Sequence, residues 1–198
     1  MQHNSDRQRR ALFAFPWLLI GGAILAAFVL RALVAQVYFV DSGSMRPSLA
    51  IGDRVFVEKL SHWWRDPQRG EVVVFDGTDV WGAAANGQLL TKRVIGVSGD
   101  HVVCCDDHGR IVRNGRALIE PYAEGRSANF DVTVPAGRLW LLGDDRARSK
   151  DSGTYVSTAA GGSVPVNHVL GRALGVVWPL DHAGILGQPG TEDPHDAD

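Results

Sequence analysis

The stretch "RIVRNGRALI", residues 110–119, decides the fold class. Two short runs carrying apolar residues flank the pair Asn114-Gly115. Asn-Gly supplies the two positive-φ positions of a tight primed turn, so this pair between strand-like runs marks a β-hairpin. The same texture recurs in both directions from it. Toward the N-terminus lie "GDRVFVEKL" (52–60), where Val55 and Val57 alternate with Phe56 and Glu58, then "GEVVVF" (70–75), "LLTKRVIGV" (89–97) and "HVVCC" (101–105). Toward the C-terminus lie "GRLWLLGDD" (137–145), ending in a polar turn, and "VLGRALGVVWPL" (169–180). A further strand is expected near Val37–Val40, and "DVWGAAANGQ" (79–88) is expected to be a Gly- and Ala-rich loop. Short strands at close spacing, with turn residues between them, predict a mainly β domain.

One segment departs from this texture. "ALFAFPWLLIGGAILAAFVL" (11–30) carries no charge and is long enough for one helical bilayer crossing. Arg7, Arg9 and Arg10 precede it, so the positive-inside rule puts the N-terminus in the cytoplasm and the rest of the chain outside. The run exceeds the apolar region of a cleavable leader, and no small-x-small site closes it. The expected organisation is a cytoplasmic tail over 1–10, an uncleaved anchor over 11–33, an extracytoplasmic domain over 34–186 and a disordered acidic tail over 187–198.

The 198-residue chain has a formal net charge of −2 and no basic block beyond its N-terminus, which argues against nucleic acid as a partner. Cys104 and Cys105 are adjacent and lack metal-site spacing. They are expected to be two strand residues facing opposite ways, with a vicinal disulfide as the alternative in an oxidising compartment.

Chemistry concentrates in "DSGSMRPSL" (41–49). A serine hydroxyl is a poor nucleophile without a general base in hydrogen-bond reach. His62, His101, His108, His168, His182 and His195 sit in no recognisable triad motif and read as surface or packing residues. A lysine can replace histidine in this role. Its amine must then be neutral, and burial can lower the ordinary pKa of about 10.4 by up to about 3–5 units. Lys92 fits, flanked by Leu89, Leu90, Val94 and Ile95; Lys59 follows Glu58 at a strand end, and Lys150 lies in the polar run "RARSKDS". Spacing alone leaves Lys92 open between a base and a lysine on a solvent face. It leaves Ser42 and Ser44 open between catalytic groups and plain turn residues.

Five blocks, "SGSMRPSL", "GDRVFVEK", "RGEVVVF", "KRVIGVSGD" and "GDDRARSKDS", follow one another over residues 42–152, and "VPVNHVLGRA" (164–173) closes the series. In that order, after an N-terminal anchor, they resemble the type I signal peptidases, membrane-anchored Ser-Lys endopeptidases. The resemblance implies folded-over antiparallel sheets with one N-terminal transmembrane helix. It implies Ser44 as nucleophile, Lys92 as general base, and the Ser42 hydroxyl with the Ser44 backbone N–H as oxyanion hole. Ser149 matches a serine that orients the lysine, and Asp144, Arg146 and Asp151 match a supporting polar turn. Val40, Met45, Val55, Leu90 and Thr91 match the substrate cleft.

The implied substrates are signal peptides of exported preproteins, cut after small residues at the last and third-last positions. The implied setting is a single-pass protein of the plasma membrane, in contact with phospholipid, functional as a monomer and using no metal or cofactor. Asp41, Thr91 and Ser98 depart from the common pattern, where Pro, an apolar residue and Pro are usual. Thr91 could weaken the apolar setting of Lys92 or give it another hydroxyl partner. A carboxylate touching Lys92 would favour the ammonium, so Asp151 is expected to bond Arg146 or the local backbone instead. Two other readings share these residues: a Ser-Lys peptidase with a narrower task, and a tethered β-domain that binds peptides without cutting them.

Overall fold

The computed structural model describes residues 19–24, 34–61, 64–82 and 89–187. The Val-rich runs become strands: β1 (Ala35–Phe39), β2 (Arg54–Glu58), β3 (Val72–Asp76), β4 (Leu89–Gly96) and β5 (His101–Cys104). They continue as β6 (Ile111–Arg113), β7 (Arg116–Ala117), β8 (Phe130–Thr133), β9 (Arg138–Leu142), β10 (Val164–Pro165), β11 (Val169–Trp178) and β12 (Gly184–Ile185). The Asn114-Gly115 hairpin forms as expected, with φ of 52° and 82° at its two turn residues and with Val112 opposite Ala117.

The strands make two antiparallel sheets. The larger runs β1-β2-β11-β3-β4-β9-β10, with β12 added beside β11; the smaller runs β7-β6-β5-β8. Strand β11 is the spine of the larger sheet, pairing with both β2 and β3 through register shifts. Gly171 permits that approach, since a Cβ there would run into the Glu58 carbonyl and the Val57 side chain. A shared core joins the sheets: Ile95 of β4 and Trp140 and Leu142 of β9 pack with Val102, Ile111 and Phe130 of the smaller sheet. Phe130 meets Trp140 edge-on, with ring centroids 5.0 Å apart. The two faces of β4 are therefore both covered, one by the second core cluster through Val94 and the other by this shared cluster through Ile95.

The fold is mainly β, as the sequence predicts, with differences in detail. The start of the expected loop, residues 79–81, belongs to a short helix (Thr78–Trp81). Trp81 is buried there, stacks on Tyr155 at 5.2 Å and donates its indole N–H to the Gly162 carbonyl at 3.0 Å. Residues 83–88 lie outside the described residues. Cys104 and Cys105 are joined as a vicinal disulfide rather than facing opposite ways. Strand β5 ends at Cys104, so strand alternation no longer governs Cys105. Of the anchor expected over 11–33, residues 19–24 are described and helical, with Leu19, Ile20 and Ile24 exposed. The rest lies outside the described residues, and among the described residues no helix is long and apolar enough to cross a membrane. The expected tail is described only at Gly187.

Candidate active site

Ser44 lies in the loop between β1 and β2, whereas Lys92 stands on β4 in the body of the larger sheet. The fold brings them together across 48 positions of sequence, with Lys92 Nζ 2.6 Å from Ser44 Oγ. Lys92 is only 3% exposed. Val73 stands opposite it on β3, and Leu90 and Val94 share its strand face by alternation. Burial lowers its pKa from the ordinary lysine range to about 8, while the charges of Asp151 and Asp144 act to raise it. A neutral amine at this distance can accept the serine's proton. The Ser42 hydroxyl lies 3.3 Å from Ser44 Oγ, on the open side of the pair.

The turn after β9 holds this arrangement from beneath. Asp145 N–H donates to the Ser44 carbonyl at 3.1 Å. Gly143 is packed against that same carbonyl and the Ser149 hydroxyl so closely that a Cβ would clash with both. Asp144 accepts two hydrogen bonds from Arg93, at 2.9 and 2.6 Å, and both side chains are fully buried. Arg93 also lies over the Tyr122 ring, 4.0 Å from its centroid. Arg146 pairs with Glu120 at 2.6 and 3.0 Å and donates to the Gly143 carbonyl at 3.0 Å.

Asp151 meets its expectation through the second of its two alternatives, the local backbone. Its carboxylate accepts the Gly143 N–H at 3.1 Å and the Gly153 N–H at 3.2 Å, both local backbone. Arg146 is engaged by Glu120 instead. Burial pushes the Asp151 carboxyl above the usual range, and the Gly143 N–H, Ser149, Lys92 and Arg146 only partly oppose it. Burial thus drives both Lys92 and Asp151 toward their neutral forms.

Ser149 is buried beside Gly143, and its hydroxyl favours the ionised Asp151. Its Oγ makes no hydrogen bond to Lys92 or to any other described residue, so the expected orienting contact is not formed. Thr91 is half-buried, and the amine's one hydrogen bond among the described residues is to Ser44. Of the expected cleft residues, Val40, Met45 and Val55 share one core cluster, while Leu90 packs against a different one. Among the described residues no group of His, Cys, Asp and Glu could hold a metal ion.

Four residues of this setting were not singled out from sequence: Arg93, Glu120, Tyr122 and Gly143. The Lys-Arg pair and the Gly-Asp-Asp turn were visible as motifs. Their partners come from 51 and 26 positions away, and no local pattern announces such pairings.

A serine hydroxyl hydrogen-bonded to a buried amine on a β scaffold has the geometry that a Ser-Lys hydrolase requires. The family described as signal peptidase, peptidase S26, matches residues 14–178, and the chain belongs to that family of peptidases. It is 38% identical over 176 residues to a Synechocystis protein named "Probable signal peptidase I-2", covering 86% of this chain and 77% of the relative. It is 34% identical over 175 residues to a signal peptidase I of Leptolyngbya laminosa, covering 86% and 82%. A crystal structure of a signal peptidase I from Enterococcus faecalis is 29% identical, with a TM-score of 0.43 over 55% of this chain and 97% of that one.

Proposed function

We propose that the chain removes signal peptides from exported preproteins by acyl transfer to Ser44, with Lys92 as the general base. The observation that carries the reading is the 2.6 Å contact between a buried amine and the serine hydroxyl. Lys92 takes the proton from Ser44 Oγ as that oxygen attacks the scissile carbonyl, and the resulting ammonium passes it to the leaving amine. A water then attacks the acyl ester, giving its proton to Lys92, and Ser44 recovers its hydrogen as the carboxylic product leaves. The Ser42 hydroxyl and the Ser44 N–H supply hydrogen bonds to the oxyanion of each tetrahedral intermediate.

The edge of β4 suits an extended substrate. Pairing with β9 begins at Arg93, so among the described strands Leu89, Leu90 and Thr91 pair on one side only, with β3. A peptide laid along this edge can add main-chain hydrogen bonds beside Lys92. A shallow cleft lined by Val40, Met45, Val55, Leu90 and Thr91 would favour small residues at the last and third-last positions before the bond. Residues 11–33 would hold the enzyme in the plasma membrane, with the N-terminus in the cytoplasm and the domain from residue 34 outside, acting as a monomer on membrane-held substrates.

The test is cleavage of a purified preprotein by the wild type, Ser44→Ala and Lys92→Ala. Both variants are expected to lose cleavage at the signal-peptide junction. Near-normal activity in either one overturns the assignment.

A further inference from the structure

The segment carrying Ser42 and Ser44 is a loop closed at its neck. Val40 N–H donates to the Asp53 carbonyl at 2.9 Å, and Gly52 N–H donates to the Val40 carbonyl at 2.9 Å. Residues 40–53 therefore leave the sheet and return to it at one point. Within the loop, Arg46 N–H bonds the Gly43 carbonyl at 3.2 Å and Leu49 N–H bonds the Met45 carbonyl at 2.8 Å, while Met45 and Leu49 fill the core beneath. The loop is thus a compact body held at its neck, at the Ser44 carbonyl by Asp145 N–H and at the Ser48 hydroxyl by Arg93, and Lys92 belongs to a different strand. The neck is the one of these supports that both ends of the loop share, so the separation of Ser44 Oγ and Lys92 depends in part on how it is held.

One buried acid sits there. The Asp53 side chain is 2% exposed. It accepts the Ala50 N–H at 2.8 Å, a bond internal to the loop. Its partner from outside the loop is His182, whose Nδ1 lies 3.0 Å from each carboxylate oxygen. An ionised carboxylate only accepts hydrogen bonds, so Nδ1 carries the hydrogen. His182 stands in the turn after β11, where its own N–H bonds the Pro179 carbonyl at 3.1 Å. A buried carboxylate deprived of a donor is destabilised, and the structure relaxes to find another. A shift of Asp53 passes to Val40 through the neck hydrogen bond, and Val40 precedes Ser42 by two residues and Ser44 by four.

From these contacts we propose that Asp53 and His182 are positioning residues for the nucleophile. By donating to the Asp53 carboxylate, His182 fixes the neck of the 40–53 loop, and with it the placement of Ser42 and Ser44 against Lys92. The proposal rests on the reading of Ser44 and Lys92 as the catalytic pair. It gives a role to a histidine that reads from sequence as a surface or packing residue.

The experiment compares the full-length wild type with His182→Ala and His182→Asn, measuring kcat, KM and thermal midpoint on one preprotein substrate. His182 is 43% exposed on its side chain, so both variants are expected to fold. The asparagine amide replaces the Nδ1–H donor without the ring. His182→Ala should lose about tenfold or more in kcat, the scale set by a small misplacement of reacting groups, with KM held and only a modest fall in thermal midpoint from the lost donor. His182→Asn should recover most of that loss. Wild-type kcat in the alanine variant overturns the proposal. So does a loss no larger than the fall in thermal midpoint explains, one confined to KM, or one that asparagine does not rescue. An inactive wild type would instead count against the proposed function, so the two failures are distinguishable.

Discussion

Arg93 and Asp144 meet through two hydrogen bonds, 2.9 and 2.6 Å long, with both side chains withdrawn from solvent, one residue along the strand from Lys92. The pair neutralises a carboxylate whose charge would otherwise act more fully on the base, for Asp144 raises the proton affinity of Lys92. Arg93→Met leaves Asp144 buried without its cation. Breaking a buried pair from one side costs about 3–5 kcal/mol, which chemical denaturation would read as a lowered midpoint. In the folded variant the rising limb of the pH–rate profile is expected to move to higher pH. A stability loss with an unmoved profile would leave Arg93 a structural residue only.

The wild-type profile follows from Lys92 itself. Burial holds its amine at about 8, and only the neutral amine accepts the serine proton. Activity should rise with pH through about 8 and then level. A rise only near the pKa of a free lysine would contradict the buried base. Stability carries the same signature. Between about 8 and the ordinary value of 10.5, the unfolded chain binds the proton that the folded chain has released. The Lys92 contribution to stability therefore increases with pH across that window and is flat below it. Denaturation of wild type against Lys92→Met at both ends of the window isolates it.

Asp151 provides the opposing lever. Its charge raises the Lys92 proton affinity without direct contact, while its oxygens hold the Gly143 and Gly153 amides. Asp151→Asn removes the charge and keeps one carbonyl oxygen, which serves either the Gly143 or the Gly153 amide, since the two donate to different oxygens. The rising limb should then shift to lower pH, opposite to the shift in Arg93→Met. Shifts of the same sign in both variants would rule out a shared electrostatic origin.

Much of this arrangement was legible in the sequence because its signals are local. The Asn114-Gly115 hairpin, the strands around Val55, Val73 and Val94, and the apolar flanks of Lys92 each depend on neighbours within a few positions. The missed strands β8, β10 and β12 are four, two and two residues long. They exist through pairing with distant partners rather than through their own periodicity. The same applies to Arg146, whose Glu120 partner lies 26 positions earlier, and to Ser149, whose buried hydroxyl hydrogen-bonds no described residue. Motif resemblance carried Ser44 and Lys92 because it encodes proximity that no local pattern can.

Gly143 tests how tightly the nucleophile is seated. It lies between the Ser44 carbonyl and the Ser149 hydroxyl, and a Cβ would clash with both. Gly143→Ala must push the Ser44 backbone away from Asp145 N–H or displace Ser149. Overpacking of this kind costs about 1–3 kcal/mol, and a displacement near 1 Å can cost about 10²-fold in rate. The expected result is a folded protein with a modestly lower thermal midpoint and a disproportionate fall in kcat. A fall no larger than the stability change explains would mean the site has more slack than this packing indicates.

Ser42→Ala separates oxyanion stabilisation from base chemistry. The Ser42 hydroxyl lies 3.3 Å from Ser44 Oγ and does not contact Lys92. Removing one oxyanion donor typically lowers kcat by about 10²–10³. Because the base and its burial are untouched, the midpoint of the pH–rate profile should stay where the wild type has it, and KM should change little. Ser42→Thr keeps a hydroxyl on the same carbon and should recover part of the loss. If Ser42→Ala instead shifts the pH midpoint, the hydroxyl acts through the Ser44–Lys92 hydrogen bond, and the oxyanion would have to be held by the Ser44 amide alone.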